Sequence, residues 1–296
     1  MASRSKRVLV TGADGFTGRY LIPALEAAGW ETCGLVQQRG QMTREAVADL
    51  LDADALTAVM AEVKPDAVIH LAGIAFVGHG DALGLYQVNM FGTLNLMAAI
   101  RNAGLAPKVI LASSANVYGT PLRDKIDESV CPAPVNHYAM SKLAMEHMVR
   151  GHFEELEVLI ARPFNYTGWG QDKNFLVPKI VDHFRRKTDF IELGNLDVAR
   201  DFLDVRDVAA AYVRLLEGEA AFDVVNICSG DVVSLEQIIA MSEEITGHRM
   251  EVRVNPAFVR KNEIKRLAGD NSRLKQVGWT RRHAFNETLN WMLTAA

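Results

Sequence analysis

Short apolar runs alternate with segments of helical period through the first half of the chain. Residues 6–11 form an apolar run closed by Gly12, the pattern of a strand buried on both faces. Residues 17–28 carry a helical pattern that stops at Gly29, a C-capping glycine by position. The alternation continues with strands predicted over 31–36, 67–71, 108–113 and 157–161. Helices are predicted between them over 54–63, 83–103 and 138–153. In 83–103 the apolar residues Tyr86, Met90, Leu94, Met97 and Ile100 share one face, and Gly104 follows. Strands alternating with helices predict a doubly wound α/β fold, a parallel sheet covered on both faces.

After Arg162 the rhythm changes. Residues 163–171, rich in Asn, Gly and aromatic side chains, predict a loop. Helices follow over 177–186 and 207–217, a further sheet strand over 224–228, then a helix over 235–246, a strand over 250–254 and a basic loop. No flexible linker separates the two halves. A smaller C-terminal α/β unit, 166–202 with 229–296, is therefore expected to interleave with 1–165, and 203–228 to return to the first unit. A cleft should lie between them.

Composition narrows the classes. The chain has 296 residues, 49% hydrophobic and 23% charged, values of an ordinary globular protein. A net charge of −4 argues against nucleic-acid binding, which leaves a basic footprint. The basic start leads into only three apolar residues, Val8, Leu9 and Val10, too few for a secretory core or a membrane span. A cytoplasmic protein without a membrane partner is expected. Cys33, Cys131 and Cys228 have no zinc-like spacing and are expected to be free thiols, with no metal site.

Candidate chemistry begins at Gly12, Gly15 and Gly18, at a strand-to-helix junction. Gly12 turns the backbone tightly, Gly15 lets a pyrophosphate approach the main chain, and Gly18 permits close helix packing. The helix N-terminus offers N–H groups to the anion. The second strand ends Val36-Gln37-Gln38-Arg39, with no carboxylate to bond the ribose hydroxyls of NAD. Arg39 can pair a 2′-phosphate, which favours NADP(H) over NAD(H). Asp49 and Leu50 are candidates to cover the adenine. Leu71, Ala72 and Gly73 end a strand at the sheet edge where such folds bind ligands, and His70 is expected to be packed rather than catalytic.

Ser114 ends another strand, where it can donate to a carbonyl oxygen. Tyr138 and Lys142 stand four apart and share one helix face. Tyrosine ordinarily ionises near pH 10, and lowering that by roughly three pH units takes about 4 kcal/mol. One ammonium ~4 Å away at an effective dielectric near 20 supplies that much. Lys142 is therefore expected to lower Tyr138 toward neutrality and to hold the nicotinamide ribose. Hydride transfer to or from a carbonyl is the chemistry these groups suit together.

At this point the chain resembles the extended short-chain dehydrogenase/reductase family, sugar-nucleotide branch, over about 6–279. The matching stretches are Thr11 to Gly18, His70-Leu71-Ala72-Gly73, Val88-Asn89-Met90-Phe91-Gly92-Thr93, Ser113 to Gly119, Tyr138 to Lys142 and Ala161-Arg162-Pro163-Phe164-Asn165. The resemblance implies a Rossmann domain with cofactor contacts that include Asp14, Phe16, Thr17 and Pro163. It also implies a homodimer built on the helices over 83–103 and 138–153. Asn165 and Arg200 match groups that grip a sugar-nucleotide diphosphate. Arg260 matches a second phosphate-binding arginine, and Lys179 is placed to reach the base. Where the branch's 4,6-dehydratases carry acidic residues after the catalytic Ser or Thr, this chain has Ala115 and Asn116, neither able to act as a base. Trp169 replaces the proline of a Gly-Pro-Gly-Gln turn, a departure expected to reshape the sugar pocket. The implied activity is reduction of the C4 ketone of a nucleotide-linked 4-keto-6-deoxyhexose. Three alternatives stay open: reduction on the opposite face, C4 epimerisation with tightly held NAD, and a non-catalytic NADP-sensing regulator.

Overall fold

A computed structural model describes residues 5–40, 42–75, 80–152, 154–219, 222–259 and 264–295. In chain order its first half comprises β1 (Arg7–Thr11), α1 (Phe16–Ala27), β2 (Glu31–Val36), β3 (Glu45–Val47), α2 (Ala53–Val63), β4 (Ala67–His70), α3 (Ala82–Tyr86), α4 (Thr93–Asn102), β5 (Lys108–Ala112), α5 (His137–Val149) and β6 (Val158–Pro163). The second half comprises β7 (Asn165–Thr167), α6 (Leu176–Arg185), β8 (Phe190–Leu193), β9 (Ala199–Arg200), β10 (Phe202–Asp204), α7 (Val205–Glu217), β11 (Val224–Ile227), β12 (Val233–Ser234), α8 (Leu235–Thr246), β13 (Glu251–Val254), β14 (Arg266–Leu267), α9 (Ser272–Gln276) and α10 (Phe285–Thr294).

Among the described residues seven strands form one parallel sheet in the order β11-β6-β5-β4-β1-β2-β3. This is a Rossmann-type arrangement. The order reverses beside β1, and the crevice at the carboxyl ends there is the expected ligand site. The strands read as continuous apolar runs because both faces are covered. Val8, Val10, Ile69 and Ile110 pack on one side with Leu21 and Leu25 of α1 and Tyr212 and Leu215 of α7. Leu9, Val68, Val109 and Leu111 pack on the other with Leu56 and Met60 of α2, Leu96 and Ile100 of α4 and Met145 of α5.

A third core lies beyond the sheet's carboxyl edge. Val177, Ile180 and Phe184 of α6 meet Leu235 and Ile238 of α8, and Leu289, Met292 and Leu293 of α10. Two carboxylates tie this part to the sheet. Asp204 caps α7 by accepting from Arg206 N at 2.8 Å and also accepts from the Thr288 hydroxyl at 2.7 Å. Asp207 accepts the backbone N–H groups of Arg282 and His283 at 3.1 Å and 2.9 Å.

Several elements depart from the expectations. The helix predicted over 83–103 is divided by a wide π-type turn, Gln87–Gly92. There the buried Asn89 side chain bonds Ile74 and Ser141. The predicted loop over 163–171 contains β7, which pairs in parallel with β10. Strands β3 and β7, three residues each, are too short to show a period of two. Helix α5 ends at Val149 in a tight turn, Arg150–His152, and Phe153 lies outside the described residues. Helix α10 was not predicted; its apolar residues face a core built from other parts of the chain.

Candidate active site

The glycine turn opens onto a cleft of about 1440 Å³. Gly12 has φ +66° and donates to the Leu35 carbonyl at 3.0 Å; a Cβ there would stand 2.9 Å from the Ala72 backbone. Gly15 opens α1, and no side chain caps that N-terminus. A Cβ on Gly18 would run into the Ala13 carbonyl, so Gly18 serves helix packing and does not line the cleft. An open helix N-terminus behind a side-chain-free turn fits a pyrophosphate. Asp14, Phe16, Thr17, Leu71, Ala72, Gly73 and Pro163 share the lining, with Leu35, Val36, Ala48 and Leu50 as an apolar stretch.

His70 fixes the floor. Its Nδ1 accepts from the Thr11 hydroxyl at 2.7 Å, and its Nε2–H donates to Thr93 at 2.9 Å. The Thr93 proton goes to the Asn89 carbonyl at 2.8 Å, and Thr11 accepts Ala72 N–H at 3.1 Å. Every donor has an acceptor only if the ring is neutral. Burial, and secondarily the Lys142 charge, pushes its pKa down to about 3.

Three expected cofactor or pocket residues stand elsewhere. Arg39 is exposed beyond β2 and outside the lining; Gln37 occupies the rim instead. Asp49 is also off the wall, because its Oδ1 turns back to accept Leu51 N–H at 2.9 Å. Trp169 is not part of the lining. Its carbonyl accepts from the Tyr20 hydroxyl at 2.6 Å and its ring lies 4.6 Å from the Arg185 guanidinium, on the seam between α1 and α6. Arg260 lies outside the described residues.

The reactive groups come together from two elements. Ser114 follows β5 and heads a tight turn over Ala115–Tyr118. Tyr138 and Lys142 occupy the buried face of α5, which Asn136 caps by accepting Ala139 N–H at 2.8 Å. Burial pushes Tyr138 up to about 12, and a hydrogen bond from Ser114 pulls the other way. The expectation that Lys142 lowers Tyr138 is not met in this arrangement. Its Nζ donates to the Ala112 carbonyl at 2.9 Å, and burial pushes the lysine itself down to about 8, against the pull of Glu146.

Beneath them lies an ion pair that sequence reasoning missed. Glu146, buried, accepts from Ser113 at 2.5 Å and from Arg162 Nε and Nη2 at 2.9 Å and 2.5 Å. Arg162 also lies 4.8 Å over the Tyr118 ring. The signal was available, since Glu146 sits four residues after Lys142 on the same helix face. Asn89, which clamps the segment after β4 to α5, lies in the Val88–Thr93 stretch of the resemblance, but spacing gave no sign of its partners Ile74 and Ser141.

On the far side of the cleft Asn165, Lys179 and Arg200 share the lining. Lys179 Nζ donates to the Glu192 carbonyl at 2.7 Å and lies 4.4 Å over Phe258. Tyr166 stacks on Phe16 at 6.1 Å, and its hydroxyl bonds Thr17 at 2.8 Å, joining β7 to the start of α1. Among the described residues no helix is long and apolar enough to cross a membrane. Nor does any cluster of three His, Cys, Asp or Glu suit a metal there.

Residues 9–292 match the family described as GDP-mannose 4,6 dehydratase. The chain is 39% identical over 273 residues to GDP-6-deoxy-D-talose 4-dehydrogenase of Aggregatibacter actinomycetemcomitans, covering 92% of this chain and 90% of that protein. It is 35% identical over 304 residues to GDP-6-deoxy-D-mannose reductase of Pseudomonas aeruginosa, covering 98% and 97%. A solved structure of RMD from Pseudomonas aeruginosa complexed with NADPH is 34% identical with a TM-score of 0.86, covering 98% of this chain and 97% of that one.

Proposed function

The chain belongs to the GDP-mannose 4,6 dehydratase family of extended short-chain dehydrogenases/reductases, and from that premise we propose that it is an NADPH-dependent 4-ketoreductase of a GDP-linked 4-keto-6-deoxyhexose. The substrate proposed is GDP-4-keto-6-deoxy-D-mannose and the product GDP-D-rhamnose. The observation that carries the reading is the grouping of Ser114, Tyr138 and Lys142 on one cleft with the glycine turn, where Ala115 and Asn116 stand in place of acidic residues. When bound, the reduced nicotinamide supplies the hydride to C4. Tyr138 gives its phenolic proton to the oxygen that becomes the C4 hydroxyl, and Ser114 donates a hydrogen bond to the same oxygen. Lys142, on the same face of α5, takes the ribose hydroxyls. Asn165 and Arg200, with Arg260, hold the diphosphate, and Lys179 faces the base. Ala115 and Asn116 leave no carboxylate for the proton removal that dehydration requires.

The preference for NADP(H) draws support from the NADPH-bound relative and from the missing carboxylate after β2. The division into 1–165 with 203–228, against 166–202 with 229–296, belongs to the same reading, as does a cytoplasmic homodimer. The test mixes the protein with NADPH and a panel of 4-keto-6-deoxy sugar nucleotides and follows loss of reduced nicotinamide. Tyr138→Phe should lose orders of magnitude in kcat and keep NADPH binding. No turnover on any substrate, or near wild-type turnover by that variant, removes the reading. The relative named for 6-deoxy-D-talose favours a second outcome, reduction on the opposite face, which the product's C4 configuration by NMR distinguishes. Nicotinamide released only on denaturation would indicate the epimerase instead.

A further inference from the structure

A serine hydroxyl has one hydrogen to donate and two lone pairs to fill. At Ser114 both lone pairs are taken by one neighbour: Asn116 donates its backbone N–H at 3.2 Å and its side-chain Nδ2–H at 3.0 Å. The remaining capacity is the proton, and the direction in which Ser114 moves the Tyr138 ionisation, downward, is that of a donor. The turn that sets this geometry is rigid. Ala115, Val117 and Tyr118 are buried, Val117 N–H bonds the Ser114 carbonyl at 3.2 Å, and Ala133 N–H bonds the Val117 carbonyl at 2.9 Å. Asn116 itself lines the cleft.

We propose that Asn116 is a positioning residue whose side-chain amide holds Ser114 as an obligate hydrogen-bond donor, so that the Tyr138 proton is kept for the substrate oxygen. The proposal rests on the ketoreductase reading. A serine with a free lone pair can rotate and accept from Tyr138. That would engage the proton Tyr138 has to deliver and turn the serine's own proton away from the reacting oxygen. The backbone N–H fills one lone pair whatever residue stands at 116. The second is filled by the side chain alone, so whether Ser114 can also accept from Tyr138 depends on an amide nitrogen there. An aspartate of the same shape reverses the arrangement, because its carboxylate draws the serine proton to itself.

The test compares Asn116→Ala and Asn116→Asp, alone and combined with Ser114→Ala, after NADPH binding has shown each variant folded. Asn116→Ala should lose about 10-fold in kcat and Asn116→Asp about 100-fold, approaching loss of an oxyanion donor, with KM changed less than about 3-fold. In the Ser114→Ala background Asn116→Ala should cost no more than about 2-fold, because it acts through the serine. Near wild-type turnover by Asn116→Asp would mean that the amide oxygen faces Ser114, and overturns the proposal. Equal losses from Asn116→Ala in both backgrounds also overturn it.

A second readout needs no substrate. Tyrosinate absorbance lost in Tyr138→Phe reports Tyr138 ionisation in the protein with NADP⁺. Asn116→Ala should move that ionisation to higher pH, and should not in Ser114→Ala. The other groups near Tyr138, namely Lys142 on α5, Tyr166 in β7 and Tyr212 on α7, are unchanged throughout. No shift, or one that persists without Ser114, refutes the lock. If the wild type reduces no keto sugar, the ketoreductase reading fails and this titration alone decides Asn116.

Discussion

Replacing His70 with asparagine probes the floor of the cleft through pH. The ring is neutral in the fold because Thr11 and Thr93 need it to accept on Nδ1 and donate on Nε2. Burial and Lys142 push it down to about 3 from histidine's ordinary 6.5. Between those values the unfolded chain binds a proton that the folded chain refuses. Stability is therefore full above pH 6.5 and is lost as pH falls toward 3. The whole gap is worth about 5 kcal/mol, of which about 2 kcal/mol is lost by pH 5 and about 3 kcal/mol by pH 4. At pH 7 the asparagine variant should be less stable by ~1–3 kcal/mol, having lost its bond to Thr93. It carries no ring to protonate. Urea unfolding at pH 7, 6, 5 and 4 should therefore show the two proteins converging as pH falls, by about 2 kcal/mol at pH 5. Lys142, pushed down to about 8, titrates on the alkaline side and does not enter this window. Parallel stability curves from pH 7 to 4 would refute the assignment of a neutral, bonded His70.

Glu146→Gln should cost ~3–5 kcal/mol in unfolding free energy, because it leaves the buried Arg162 guanidinium without its counter-charge; a change under 1 kcal/mol would show the pair to be dispensable. Arg39→Ser should weaken NADPH about 10-fold by titration and leave NADH unchanged, if the exposed guanidinium swings onto a 2′-phosphate. Equal effects on both cofactors would move that role to the Gln37 rim. The helices expected to form the dimer, over 83–103 and 138–153, leave Leu83 67%, Phe91 51%, Met140 42% and Met148 54% exposed. Phe91→Glu with Met148→Glu should convert a dimer into a monomer by light scattering, with the far-UV spectrum kept. A wild type already monomeric at micromolar concentration would remove the dimer from the reading.

Much of this protein was legible in one dimension because its informative features are local. Strands 31–36 and 108–113, the Gly12-Gly15-Gly18 turn and the Tyr138–Lys142 spacing depend on residues within one turn or one strand. Backbone sterics and side-chain period carry them without help from distant parts. Where a partner lies far along the chain, the same rules fall silent. β7 exists because Asn165–Thr167 finds β10, and α10 because it meets α6 and α8. Nothing in the local spacing around Asn89 announces that its amide bonds Ile74, or that a π-type turn divides the helix there.

The site divides along the same line. Sequence by itself determined which residues are able to do the chemistry: a serine to donate, a tyrosine to protonate, a lysine one helical turn away. Only tertiary structure decided their electrical state. Burial raised Tyr138, the Ala112 carbonyl drew off Lys142, and Asn116 filled the lone pairs of Ser114. Likewise it set Arg39, Asp49 and Trp169 aside from the cleft wall. The reason is physical. Residue type and short-range spacing define what a group can donate or accept, whereas desolvation and hydrogen-bond direction belong to the packed surroundings, which sequence-distant segments supply.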